Sequence, residues 1–187
     1  MRMSPHRCVL PPVADAPARR MARGLLRSER SSTAIEFALI ALPLFALLIA
    51  ILETGMVFLS QQVLQTATTE TARLIMTGQA QLNALTASQF QQDVCNSATS
   101  VLSCGDIAVN VQTFSSFNSM TMLDPLQSGN FNQAAMNYDV GGPGDIVLVQ
   151  VFYQMPVMDG PLGFSLSTMA GGNRLLEATA VFRNEPY

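Results

Sequence analysis

The groups in this 187-residue chain that could carry chemistry are carboxylates, three thiols and one imidazole, and their spacing limits what they can do. His6 is the only histidine, so residues 31–187 can build neither a Ser-His-Asp or Cys-His nucleophile nor a zinc site that uses imidazole. No GxxxxGKS/T or GxGxxG phosphate loop is present. Asp106, Asp124, Asp139, Asp145 and Asp159 occur singly and mostly beside Gly or Pro, the setting in which Asp forms turns. No D-x-D-x-D-G calcium loop exists. A hydrolase working through paired carboxylates survives this filter as a lesser reading; no catalytic residue, metal or cofactor is expected. Met120, Met122, Met155 and Met158 are read as core filling rather than as metal ligands.

Two other carboxylates stand out for where they sit. Glu36 and Glu53 bracket sixteen uncharged residues, 37–52, and the apolar character resumes from Gly55 to Leu59. Twenty residues suffice to cross a bilayer as a helix. Seventeen residues separate the two glutamates, or roughly 25 Å at helical rise, close to the hydrocarbon thickness. Each glutamate therefore has two readings: a marker of the membrane interface, or a carboxylate buried deliberately in lipid at a cost of about 2.5 kcal/mol or more unless it is paired.

The elements that position these residues follow from charge and periodicity. Residues 1–30 hold seven Arg against Asp15 and Glu29, a net charge of +5; residues 31–187 hold three Arg against eleven acids, a net charge of −8. The basic head sits directly before the apolar run, which keeps the amino end in the cytoplasm and exports the acidic body. With only Arg73, Arg174 and Arg183 in that body, nucleic acid is excluded as its partner. No small-x-small cleavage site fits after the run, so the protein is read as anchored. Pro43 lies inside the run and should kink the helix. Residues 60–76 lack Gly and Pro and place Val63, Ala67, Leu74 and Leu64, Thr71, Ile75 on adjoining stripes, so the helix should continue out of the membrane to about Gly78.

Beyond it, the spacing of Phe90, Val94 and Ala98 predicts a short helix around 88–99, alternation predicts a strand at 106–114, the apolar run after GGPG predicts the best strand at 145–157, and 175–183 is the last strand candidate. The stretch 115–143, rich in Ser, Asn, Gln and Gly, reads as a long loop with a helical turn near 131–138. The expected fold is α+β: a long N-terminal transmembrane helix continuing into the periplasm and packed on a small antiparallel sheet. Its parts are a basic, disordered leader (1–31), the membrane and protruding helix (32–78) and an extracytoplasmic domain (79–187). In an oxidising compartment Cys95 and Cys104 can pair, closing a ten-residue loop worth about 2–3 kcal/mol, while Cys8 stays reduced.

The segment 27–80 resembles the N-terminal signature of TadE-like proteins, pseudopilins of the tight-adherence (Flp) pilus system whose plan is related to that of type IV pilins. The arginine-rich lead, the Glu36-Phe37 pair opening the apolar helix, Pro43, Glu53 followed by Gly55, and the Gln/Thr/Ala-rich continuation to Arg73 carry the resemblance. More loosely, GPGDIVLVQVFYQMP (142–156) and VFRNEPY (181–187) resemble the far end of such proteins. The resemblance implies a pilin-like fold and a minor pseudopilin or assembly component in the bacterial inner membrane, or incorporated in the extracellular pilus. Its implied partners are other pilin or pseudopilin subunits, the inner-membrane assembly platform and a prepilin peptidase. Cleavage in that family precedes the residue four positions before the glutamate, which corresponds to the Ser31-Ser32 bond, with Ser31 where cut members commonly carry Gly. If the bond is cut, the freed amine of Ser32 on one subunit could neutralise Glu36 of a neighbour and fix axial register. The alternative reading, from a different class, is a membrane-tethered extracytoplasmic module that binds a ligand or polysaccharide.

Overall fold

The computed structural model describes residues 29–98, 101–160 and 163–186. The basic head through Ser28, with His6 and Cys8, lies outside the described residues; Ser31 and Ser32 fall in the first turn of the first helix. That helix, α1 (Glu29–Met76), runs through Pro43 without interruption. A turn of helix, α2 (Gln79–Leu82), and an amphipathic helix, α3 (Ala87–Ala98), follow. The strands are β1 (Ile107–Phe114), β2 (Leu126–Gln127), β3 (Asn130–Phe131), β4 (Ile146–Pro156) and β5 (Asn173–Arg183). β1, β4 and β5 form an antiparallel sheet in that order, with Val149 opposite both Val111 and Ala180. The α+β architecture expected from the sequence is therefore the one observed.

The chain divides into two units, Met1–Phe45 and Ala46–Tyr187. The described part of the first is the beginning of α1, where Thr33–Ile40 and Leu42–Phe45 are exposed on every side of the helix. Within the second, α1 acquires a buried stripe: Ala46, Glu53, Val57, Ser60, Leu64, Ala67, Thr71 and Ile75, spaced mostly three and four residues apart. This is the period with which one face of a helix returns. Its apolar members from Val57 to Ile75 pack in one core with Phe90 and Val94 of α3, and with Val109, Val111, Val147, Val149 and Val151 from one face of the sheet.

Buried threonines fit this face because their hydroxyls turn back on the helix. Thr68 donates to the Leu64 carbonyl and Thr71 to that of Ala67, each at 2.8 Å, so neither hydroxyl is left without a partner. The helix ends where Gly78 adopts the left-handed conformation (φ 75°) and its N–H reaches the Ile75 carbonyl.

The second sheet face is covered as well, which is why all of β4 through Tyr153 is buried. The stretch expected as a long loop carries a 3₁₀ turn at Phe117–Ser119, the β2–β3 hairpin and a second 3₁₀ turn at Gln133–Ala135. Ser128 and Gly129, at φ 51° and 77°, make the hairpin turn. The Phe131 ring meets that of Phe152 edge-on at 6.0 Å. Beneath this cover, Asn110 donates to Gln150 at 3.0 Å, Gln150 donates to Glu177 at 2.8 Å, and the Leu123 N–H reaches the Gln150 side-chain oxygen.

Both sheet edges are occupied. Along β1, Val111 exchanges backbone hydrogen bonds with Asn137 and Asp139. Along β5, Gln61 and Gln65 of α1 donate to the Glu177 and Thr179 carbonyls at 2.7 and 3.2 Å. Four helical residues advance about 6 Å and two strand residues about 6.6 Å, so glutamines one turn apart match alternate carbonyls. An unpaired strand edge is a template for association with other chains, and both contacts blunt it.

Candidate functional site

Most acids single out turns and nothing more. Asp124 accepts the Leu126 N–H, Asp139 that of Gly141 and Asp145 that of Gly142, while Asp159 accepts the Ser165 hydroxyl. Asp106 closes the 3₁₀ turn Cys104–Asp106. Among the described residues no three His, Cys, Asp or Glu side chains cluster as metal ligands would. The methionine reading needs correction. Met155 packs on the core, but Met122 and Met158 are each 66% exposed: Met122 stands in the stretch that folds over the sheet, and Met158 lies past the end of β4 beside α1.

Cys95 and Cys104 are disulfide-bonded with their Cα atoms 5.3 Å apart, tying α3 to the turn that opens β1. The same junction is held by Gln91, whose amide donates to the Ile107 carbonyl at 2.7 Å. Nearby, Tyr138 packs its ring at 5.9 Å from that of Phe90 and buries a hydroxyl with no hydrogen-bond partner. Burial, and secondarily the charge of Asp93, push this phenol up to about 12.

At the other end of the body, the two segments that loosely resembled TadE-like termini meet. Asn184 is buried, its amide donates to the Val140 and Gly142 carbonyls, and its N–H reaches Asp145. The Glu185 N–H closes on the Met76 carbonyl at the end of α1. Gly141 has a left-handed φ of 63°, and a Cβ there would meet Thr113 and Asp145 at 3.0–3.1 Å, so this loop requires glycine for both conformation and space.

The strongest candidate site is on α1. Its most apolar window has a mean hydropathy of 2.7 with 6% of it buried, the reverse of a helix enclosed in a soluble core. By length and composition it can cross a membrane. Of the two glutamates, Glu36 is exposed, beside a Phe37 that is 72% exposed. Glu53 is 8% exposed. Its Oε1 accepts the Met158 N–H at 2.8 Å, and its Oε2 is buried with no partner. The surrounding groove, about 370 Å³, is walled by Ile49, Leu52 and Met56 on α1 and by Met155–Met158 at the end of β4.

The sequence leaves either glutamate open to burial, and only the family resemblance gives a role to one of them, Glu36. Within a single chain the structure encloses Glu53. A signal for this exists in the sequence: counting back from Leu64 by four, three and four residues passes Ser60 and Val57 and arrives at Glu53.

The family model described as TadE-like protein matches residues 32–73, the part of α1 that holds Glu36, Phe37, Pro43 and Glu53. No curated protein and no solved structure matches the chain.

Proposed function

We propose that this chain is a minor pseudopilin or assembly component of a tight-adherence (Flp-type) pilus, acting through packing of α1 against the helices of other pilus subunits. The observation that supports this reading most is the coincidence of the TadE-like match with a helix whose large apolar side chains, from Ile35 through Leu59, are mostly exposed. A surface of that kind is stable only in lipid or against other apolar helices. In this reading residues 32–78 anchor the protein once in the bacterial inner membrane, the arginine-rich leader 1–31 stays in the cytoplasm, and residues 79–187 fold on the periplasmic side. The Cys95–Cys104 bond agrees with an oxidising compartment. Processing by a prepilin peptidase falls between Ser31 and Ser32. The new amine and Glu36 then supply opposite charges to neighbouring subunits, with Phe37 packing beside them.

The test replaces residues 37–58 by an unrelated apolar span of equal length in the native host. Membrane level should be kept and pili lost. Normal pili on such cells would leave α1 as an anchor only and overturn the assembly role. Topology is read independently from a phosphatase fused after Tyr187, which should be active only if it is exported.

A further inference from the structure

Glu53 is a carboxylate that the fold half satisfies. Oε1 is held by the Met158 N–H, while Oε2 is buried and unpartnered at the floor of a groove whose walls are apolar. Lipid tails offer no hydrogen, and a buried carboxylate without a donor or counter-charge is strongly disfavoured. An occupant that completes this site brings apolar surface together with a hydrogen-bond donor, and a cationic donor also neutralises the charge. A second copy of this chain brings the apolar surface without the cation. Residues 31–72 contain no Arg, Lys or His, so a parallel copy at equal depth sets Glu53 near Glu53, with its nearest cations, Arg73 and either the Ser32 amine of a processed chain or Arg30 of an unprocessed one, about 30 Å or more away along the axis.

We infer that the groove between Ile49, Leu52 and Met56 of α1 and Met155–Met158 receives an apolar membrane helix of a different protein, one that carries a single Lys or Arg side chain at the level of Glu53 and pairs it with the free carboxylate oxygen. Leu52, Met56 and Met158 are exposed and give that helix its packing surface. The ion pair selects the partner and fixes its depth. Apolar contact alone would allow sliding, whereas a slip of one turn moves the partner's charge about 5.4 Å from Glu53. This deepens the proposed function and rests on α1 lying in a bilayer.

The experiment reconstitutes the full chain, labelled with a donor fluorophore, into phosphatidylcholine vesicles. Acceptor-labelled transmembrane peptides of leucine and alanine are added, one with a lysine at the depth of Glu53 and one with leucine there. The lysine peptide should associate at least tenfold more strongly than the leucine peptide. Glu53→Gln should bring that ratio close to one. Its amide oxygen still accepts from Met158, and formation of the Cys95–Cys104 bond confirms that the variant folds. Equal association of the two peptides, a lysine preference that survives Glu53→Gln, or a labelled second copy that binds as tightly as the lysine peptide would each overturn the inference. Carbonate resistance of the vesicles reports anchoring separately. A chain that inserts without lysine preference overturns the inference alone, and a chain that does not insert overturns the anchoring reading with it.

Discussion

The two ends of α1 are written in similar apolar residues and live differently. From Ile35 to Phe45 the large side chains are all exposed; from Val57 to Ile75 one stripe disappears into the core shared with the sheet. The polar residues between the apolar ones make the difference. A helix that is apolar all round has no preferred inner face and needs an apolar surrounding, whereas one with Gln and Thr between its apolar positions has a single face to bury. The first end therefore depends on what other molecules supply, and the second carries its own partner in β1, β4 and β5.

Truncating a side chain at each end tests that contrast most severely. Leu64 is completely buried, and Leu64→Ala should cost about 2–5 kcal/mol in the denaturation of the detergent-solubilised full chain. Leu44→Ala, at an exposed position of the other end, should change the same transition by less than about 0.5 kcal/mol. Equal losses would mean that the two ends belong to one cooperative unit and would break the comparison. Next in size is the disulfide. The double variant Cys95→Ser, Cys104→Ser should lower the stability of the body formed by residues 79–187 by about 2–3 kcal/mol, leaving membrane partitioning unchanged. Denaturant midpoints and carbonate extraction on the same preparation read the two effects.

Much of this was legible because it is local. The period of α1, the spacing of Phe90, Val94 and Ala98, the alternation in β1 and the apolar run of β4 each involve neighbours in the chain, and the observed boundaries fall within a few residues of those expected. What stayed hidden is non-local or too short. Asn110 and Gln150 look like solvent-facing positions of strands, yet both are fully buried because residues 117–138 fold back over them, and nothing near either residue announces that cover. The β2–β3 hairpin has two residues per strand, too few for any alternation to register. Glu53 is a different case. The stripe points to it, but a carboxylate next to an apolar run reads naturally as its edge, and only the return of Met155–Met158 to α1 encloses it.

The edge contact between helix and sheet sharpens the comparison on a smaller scale, since it exists only where α1 has a partner. Gln61→Ala and Gln65→Ala each remove a donor from an outward carbonyl of β5 and should cost about 1 kcal/mol apiece. Gln62, exposed on the same turn, serves as the control, and Gln62→Ala should be neutral. If the glutamine pair proves neutral too, while the double variant self-associates in sedimentation, the contact guards the edge and adds little stability.

The smallest effect concerns pH, and it too should separate the two regions, because Tyr138, Tyr153 and Tyr187 all lie outside α1. The Tyr138 phenol is raised from 10.0 to about 12 by burial first and Asp93 second. In the unfolded chain it loses its proton near pH 10, whereas the folded chain keeps it to about 12, so between those values the unfolded state binds fewer protons. The contribution of the protonated phenol is therefore complete below pH 10 and is lost as pH rises toward 12, with the apolar end of α1 indifferent to the change. Tyr138→Phe keeps the ring on Phe90 and removes a hydroxyl that has no partner, so stability at neutral pH should hold within about 0.5 kcal/mol. The same variant should flatten the alkaline loss and remove the latest phenolate step in absorbance at 295 nm. A wild-type chain whose body keeps constant stability from pH 10 to 12 would show that this hydroxyl reaches water, and that the cover over Phe90 is looser than the packing of α1 on the sheet.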